Sequence, residues 1–155
     1  MPKQSAGLLL YRRRSPAPEV FLVHPGGPFW AKKDLGAWSI PKGEYAANED
    51  PLEAARREFA EETGFAPDGE LIPLGTIRQA GGKLVSVWAV EGDCDPTQIR
   101  SNLCTIEWPP RSGRKIEIPE VDRAAWFRLD AARERILKSQ GPVIDLLVER
   151  LARKY

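Results

Sequence analysis

The chain has 155 residues, 42% of them apolar and 29% charged, with a formal net charge of +1. That length supports a single domain over residues 1–155 with its own hydrophobic core and crowds two. The balanced charge argues against a global field that recruits nucleic acid or a membrane, so any anion binding must be local. With no apolar run of bilayer-spanning length and no signal-peptide pattern, a cytoplasmic protein is expected. Cys94 and Cys104 are then expected to stay reduced. A single histidine and no Cys-x-x-Cys pair argue against zinc.

Ser5 to Tyr11 and Glu19 to His24 read as two strands of a hairpin, with Arg12-Arg13-Arg14 and Ser15-Pro16-Ala17-Pro18 at its tip. The arginines read as a solvated strand end, with contact to a substrate phosphate as the alternative. His24 to Trp30 then breaks regular structure, and Lys32-Lys33-Asp34 continues as a charged loop before Ala37 to Ile40 resumes as a short strand. His24 reads as structural rather than catalytic. Phe29, Trp30 and Trp38 either wall a base-stacking pocket or pack in the core.

At Lys42-Gly43 a glycine turn lets backbone groups approach phosphate or metal closely, and Lys42 adds a point charge. Asp50 is a good N-cap, Pro51 suits the first helical position, Glu53 completes a capping box and Gly64 supplies the stop. The spacing predicts a helix over Pro51 to Thr63 with Leu52, Ala55 and Phe59 facing the core.

Glu58, Glu61 and Glu62 stand at i, i+3, i+4 on a neighbouring face of that helix. Like charges at this spacing destabilise a helix, and Glu61 and Glu62 lie in the last turn, where the helix dipole favours cations. A divalent cation is the simplest compensation, and oxygen ligands select Mg²⁺ or Mn²⁺ over zinc. The plainer alternative is a solvated acidic face with ion pairs to Arg56 and Arg57.

Pro67-Asp68-Gly69 is a turn, and Leu71 to Gln79 and Lys83 to Val90 read as strands joined at Ala80-Gly81-Gly82. The second is apolar on both faces, which suits burial on both sides. Asp95 to Lys115 reads as a long irregular stretch in which Arg111, Arg114 and Lys115 either grip a polyphosphate or form a solvated loop. Ile116 to Val121 precedes a last strand at Ala124 to Leu129. Asp130 is expected to cap a segment over Ala131 to Lys138, and Pro142 to open a final helix with Ile144, Leu147 and Leu151 buried.

Gly43, five residues, Glu49, seven residues, Arg57-Glu58-Phe59, one residue, Glu61-Glu62, one residue, Gly64-Phe65 resembles the signature of the Nudix hydrolases at every fixed position. Phe59 stands where the family more often has an aliphatic residue. The resemblance implies an α/β/α sandwich around a mixed β-sheet, as the alternation of strands and helices also suggests. It further implies Mg²⁺-dependent hydrolysis, with Mn²⁺ able to substitute, of a phosphoanhydride in a nucleoside diphosphate-linked substrate.

Pro41-Lys42-Gly43 resembles members that act on dinucleoside polyphosphates, of the diadenosine tetraphosphate type, or on diphosphoinositol polyphosphates. The proline or tyrosine that marks other branches is absent at Ala80, Gly81 and Gly82. By the same resemblance Glu58 and Glu62 are metal ligands, Glu61 a direct or water-mediated one, and the Lys42 carbonyl completes the set. Arg57 orients Glu58 or Glu62, and Glu49 supports the loop–helix junction. Glu120, six residues before Trp126, is a further catalytic and metal-site glutamate, with Glu117 its rival. The general base stays open among Glu58, Glu61 and Glu120. Lys42, Gly43, Trp38, Arg111, Arg114 and Lys115 are the candidate substrate contacts.

The expected partner is a small nucleotide or polyphosphate, with neither membrane nor nucleic acid, in a monomer or homodimer. The alternatives are a triphosphate-sanitising or ADP-ribose hydrolase, a non-catalytic nucleotide-binding module, and an RNA-end or protein-interaction domain recommended only by Arg111, Arg114 and Lys115.

Overall fold

A computed structural model describes residues 4–14 and 17–153. Ser15 and Pro16 of the expected hairpin tip lie outside the described residues. The strands are β1 (Gln4–Arg12), β2 (Glu19–Pro25), β3 (Lys42–Glu44), β4 (Leu71–Arg78), β5 (Leu84–Glu91), β6 (Leu103–Glu107), β7 (Lys115–Pro119) and β8 (Val121–Arg128). The helices are α1 (Pro51–Thr63), α2 (Leu129–Arg135) and α3 (Pro142–Ala152).

The main sheet is mixed, with the order β4-β5-β1-β2-β8 and β3 added beside β1. β1 alternates between two buried sides. Ala6, Leu8 and Leu10 join Ala54, Ala55 and Phe59 of α1, whereas Leu9 and Tyr11 join Val143, Ile144 and Leu147 of α3. Helices thus cover both faces, the arrangement that a strand apolar on both sides requires.

The feature that builds the site is a split in this sheet. β1 pairs with parallel β5 over all but its last residue, from Gln4↔Leu84 to Tyr11↔Glu91. On its other side it pairs with β2 only at Tyr11↔Val20 and Arg12↔Glu19, and with β3 at Ser5↔Glu44, Ala6↔Gly43 and Gly7↔Lys42. Between these, Val23 and Ser39 exchange backbone hydrogen bonds and the Leu8 N–H donates to the Pro41 carbonyl. Residues 39–44 therefore form a wedge that forces β1 and β2 apart.

The helix α1 follows from its local signals. Asp50 accepts from the Glu53 N–H at 3.3 Å, and Gly64 ends the helix at φ +81°, where its N–H reaches the Ala60 carbonyl. Phe59 is fully buried with its ring centroid 6.0 Å from that of Phe21, so the aromatic variation sits in the core.

Three expectations change. Ala37 to Ile40 forms only bridges, Val23↔Ser39 and Trp38↔Ile136; the strand starts at Lys42 because Pro41 has no N–H and the Ile40 N–H is taken by the Gln140 side chain. Asp95 to Lys115 is not irregular: it holds a 3₁₀ turn at Pro96–Gln98 and the first strand of the β6–β7 hairpin, a separate two-stranded ribbon. α2 begins at Leu129, so Asp130 lies inside its first turn rather than at the cap, and Arg128 makes no side-chain capping bond.

Candidate active site

α1 presents Glu58 and Glu62 to the wedge, and both are buried. Glu120 arrives from the junction of β7 and β8, where its N–H donates to the Asn102 carbonyl and its own carbonyl accepts from the Gly26 N–H. One carboxylate oxygen from each of Glu58, Glu62 and Glu120 lies within 4.8 Å of the others. Nothing else among the described residues gathers three such groups.

Burial pushes the Glu62 carboxyl up to about 9, with repulsion from Glu120 and then Glu58 adding to it, while the Lys42 charge and backbone amide oppose the rise. Burial likewise raises Glu58, seconded by Glu61 and opposed by Arg57. Three hard oxygen donors converging on one point at such an electrostatic cost fit a divalent cation. The bare Cα of Gly43 leaves the room Glu58 occupies. Glu58, Glu62 and Glu120 are the residues that would hold the ion.

Arg57 fixes the acids. Its guanidinium donates to both oxygens of Glu49 at 2.9 and 3.1 Å, to Glu58 Oε2 at 2.7 Å and to Glu61 Oε1 at 3.4 Å. Those bonds depress Glu49 and raise the arginine further above its ordinary value. Glu49 thus braces Arg57 across the loop–helix junction. Glu61 stands on the Arg57 side, outside the group of three. Glu117, the rival of Glu120, is exposed on β7 opposite Thr105.

A cavity of about 210 Å³ opens beside the carboxylates, lined by Val23, Trp30, Ile40, Lys42, Glu62 and Glu120 among others. Its lining combines the carboxylates of Glu62 and Glu120 with apolar side chains. Lys42 is lowered by burial and by Lys83, against the pull of Glu62 and Glu58, and it makes no ion pair within 4.0 Å among the described residues. Lys83 instead pairs with Glu44 at 3.4 Å.

Trp38 is corrected: it is 5% exposed, its indole N–H donates to Asp34 at 2.7 Å, and its ring packs against His24 and Phe127 in the core. Trp30 lines the cavity in its place, and nothing in the sequence distinguishes the two. Arg111, Arg114 and Lys115 are exposed at the tip of the β6–β7 hairpin and line no part of the cavity. Lys115 is five residues from Glu120 along an extended strand, roughly 16 Å at the usual strand rise. The structure does not bring them to the carboxylates.

Arg12, Arg13 and Arg14 pair with Glu19, Asp93 and Glu91, which accounts for them as a strand end. Cys94 and Cys104 are free cysteines. No helix among the described residues is long and apolar enough to cross a membrane.

The NUDIX domain profile matches residues 1–147, and the chain belongs to that family. Similar folds include the NUDIX domain of Shewanella oneidensis NrtR, solved with ADP ribose (TM-score 0.68, 19% identity, 97% of this chain and 89% of that one). Another is an Ap4A hydrolase of C. elegans (TM-score 0.67, 21% identity, 96% and 98%). In sequence, the chain is 50% identical over 42 residues to the RNA pyrophosphohydrolase of Thioalkalivibrio sulfidiphilus, covering 26% of this chain and 24% of that protein. It is 42% identical over 55 residues to the RNA pyrophosphohydrolase of Halorhodospira halophila, covering 35% and 30%. The matched segments span less than a third of either relative.

Proposed function

We propose that the chain is a Mg²⁺-dependent Nudix pyrophosphohydrolase that cleaves a phosphoanhydride in a nucleoside diphosphate-linked substrate, with dinucleoside polyphosphates first in order. The observation that carries this reading is the union of the Glu58–Glu62–Glu120 group with a cavity lined by the carboxylates of Glu62 and Glu120 and by apolar side chains. The first suits the charged phosphates through a cation, the second an organic base.

A divalent ion bound there supplies charge neutralisation and a water acidified enough to attack phosphorus. The residues do the rest. Arg57 holds Glu58 in one orientation through a charge-assisted bond. Lys42, which makes no ion pair among the described residues, is available to a phosphate oxygen, and its backbone carbonyl is a further candidate donor to the metal. Glu58, Glu61 and Glu120 are the candidates to take the proton of the attacking water. The Trp30 wall seats the base and excludes solvent.

A second reading rests on the names of the two sequence relatives: removal of pyrophosphate from an RNA 5′ end. The cations Arg111, Arg114 and Lys115 serve that reading better than a short nucleotide, because only a ligand that extends past the cavity reaches the hairpin tip. The deciding assay is product analysis on diadenosine polyphosphates, nucleoside triphosphates, ADP-ribose, diphosphoinositol polyphosphates and a 5′-triphosphorylated RNA oligonucleotide, with Mg²⁺ or chelator. Metal-dependent release of a nucleotide from diadenosine polyphosphate supports the leading reading. Release of pyrophosphate from RNA alone supports the second, and nucleotide binding without turnover makes the chain a binding module.

A further inference from the structure

Ser5, His24, Thr63 and Gln140 are buried polar side chains that the mechanism does not use, and His24 is the one that can titrate. His24 is fully buried on β2, and it is the only histidine in the chain. Its Nδ1 lies 2.9 Å from Oδ1 of Asp122, two residues beyond Glu120, and its Nε2 lies 2.6 Å from the Lys33 carbonyl in the loop over residues 26–36. Both partners are acceptors, so the two bonds together call for a hydrogen on each ring nitrogen.

The loop it holds is the one that walls the cavity. The Lys33 N–H donates to the Trp30 carbonyl, closing a turn around Trp30, and the Lys33 ammonium sits 3.8 Å from the centroid of the Phe29 ring and 5.4 Å from that of Trp30. The His24 ring meets Trp38 edge-on at 5.1 Å, and Trp38 in turn ties Asp34. Glu120 has its own backbone bonds to Asn102 and Gly26. Loss of the His24 contacts therefore frees the aromatic wall and leaves the carboxylate in place.

We infer that His24 is a positioning residue that latches the Trp30 loop to β8 and so sets affinity for the base-bearing part of the substrate. The inference rests on the proposed hydrolase for its kinetic arm only. Replacing His24 by Gln keeps one donor and loses the bridge; Asp122→Ala removes the other end from a partly exposed side chain and spares the buried ring.

Two measurements test the latch. In the first, nitrogen-resolved NMR of the sole imidazole in the wild-type protein reads both ring positions. Hydrogens on both nitrogens support the bridge, and a bare ring nitrogen overturns it whether or not any substrate is turned over. In the second, His24→Gln and Asp122→Ala are compared with wild type on the substrate that the panel identifies. Loss of the latch is expected to raise KM roughly tenfold with kcat within about twofold, because the disordered wall must be reordered on binding. An unchanged KM in both folded variants, or an equal fall in kcat, overturns it. Wild-type inactivity on every compound would count against the hydrolase reading alone, since the NMR result stands apart from it.

Discussion

A Cβ placed on Gly43 would stand 2.0 Å from Oε1 of Glu58. No real Cβ tolerates that contact, so the Glu58 carboxylate would have to move away. The glycine that opens the signature is thus required by the carboxylate facing it, since its φ is not in the left-handed region. Gly43→Ala is expected to displace Glu58 and lower kcat/KM by roughly a hundredfold, the scale on which small misplacements of reacting groups are felt. Circular dichroism should show the fold retained; activity within threefold of wild type would contradict the argument.

Arg57 is expected to act through the acids it orients. Arg57→Met keeps much of the aliphatic stem and removes the bonds to Glu49, Glu58 and Glu61. Loss of such an outer partner reduces metal affinity or activity by roughly 10- to 100-fold. Titration of Mg²⁺ dependence in the variant checks this, and a rise in the metal concentration needed for half-maximal rate is the expected signature.

Without metal, Glu62 should make the protein less stable as pH rises. Its folded value, about 9, is above the ordinary 4.5, so its favourable contribution is complete below 4.5 and disappears as pH passes upward through about 9. Melting temperature in chelator should fall across that window, and Glu62→Gln should flatten the fall. Added Mg²⁺ should restore stability most at the alkaline end, because binding requires the deprotonated carboxylates.

The tip cations separate the two substrate readings. Replacing Arg111, Arg114 and Lys115 together by Ser should leave hydrolysis of a dinucleoside polyphosphate within about twofold, since the tip lies roughly a strand's length from Glu120. On a 5′-triphosphorylated oligonucleotide the same variant should bind more weakly, with a shallower salt dependence, if the chain extends to the hairpin.

What was legible in the sequence is what local chemistry dictates. Asp50, Pro51 and Gly64 bound α1 without help from distant residues, and the spacing of Glu58 and Glu62 put both on the face that meets the wedge. Glu120 was legible from its interval to Trp126, but its place beside Glu62 depends on backbone partners at Gly26 and Asn102. The start of β3 was not legible, because the bond that keeps Ile40 out of the ladder comes from Gln140, one hundred residues away. Trp30 and Trp38 carry the same ring eight residues apart; only the packing of Phe127 and His24 around Trp38 decides which one meets solvent. The β6–β7 ribbon was hidden by Pro109, Pro110 and Gly113 at its turn, which read as loop when the paired strands are only five residues each.

The most direct test of the site is a Mn²⁺ titration of wild type and Glu62→Gln, followed by electron paramagnetic resonance of the free ion. Saturable binding in wild type, weakened roughly tenfold or more in the variant, is the result expected if Glu58, Glu62 and Glu120 hold the ion. Equal affinity in the two proteins would contradict that claim, and with it the hydrolytic centre built on it.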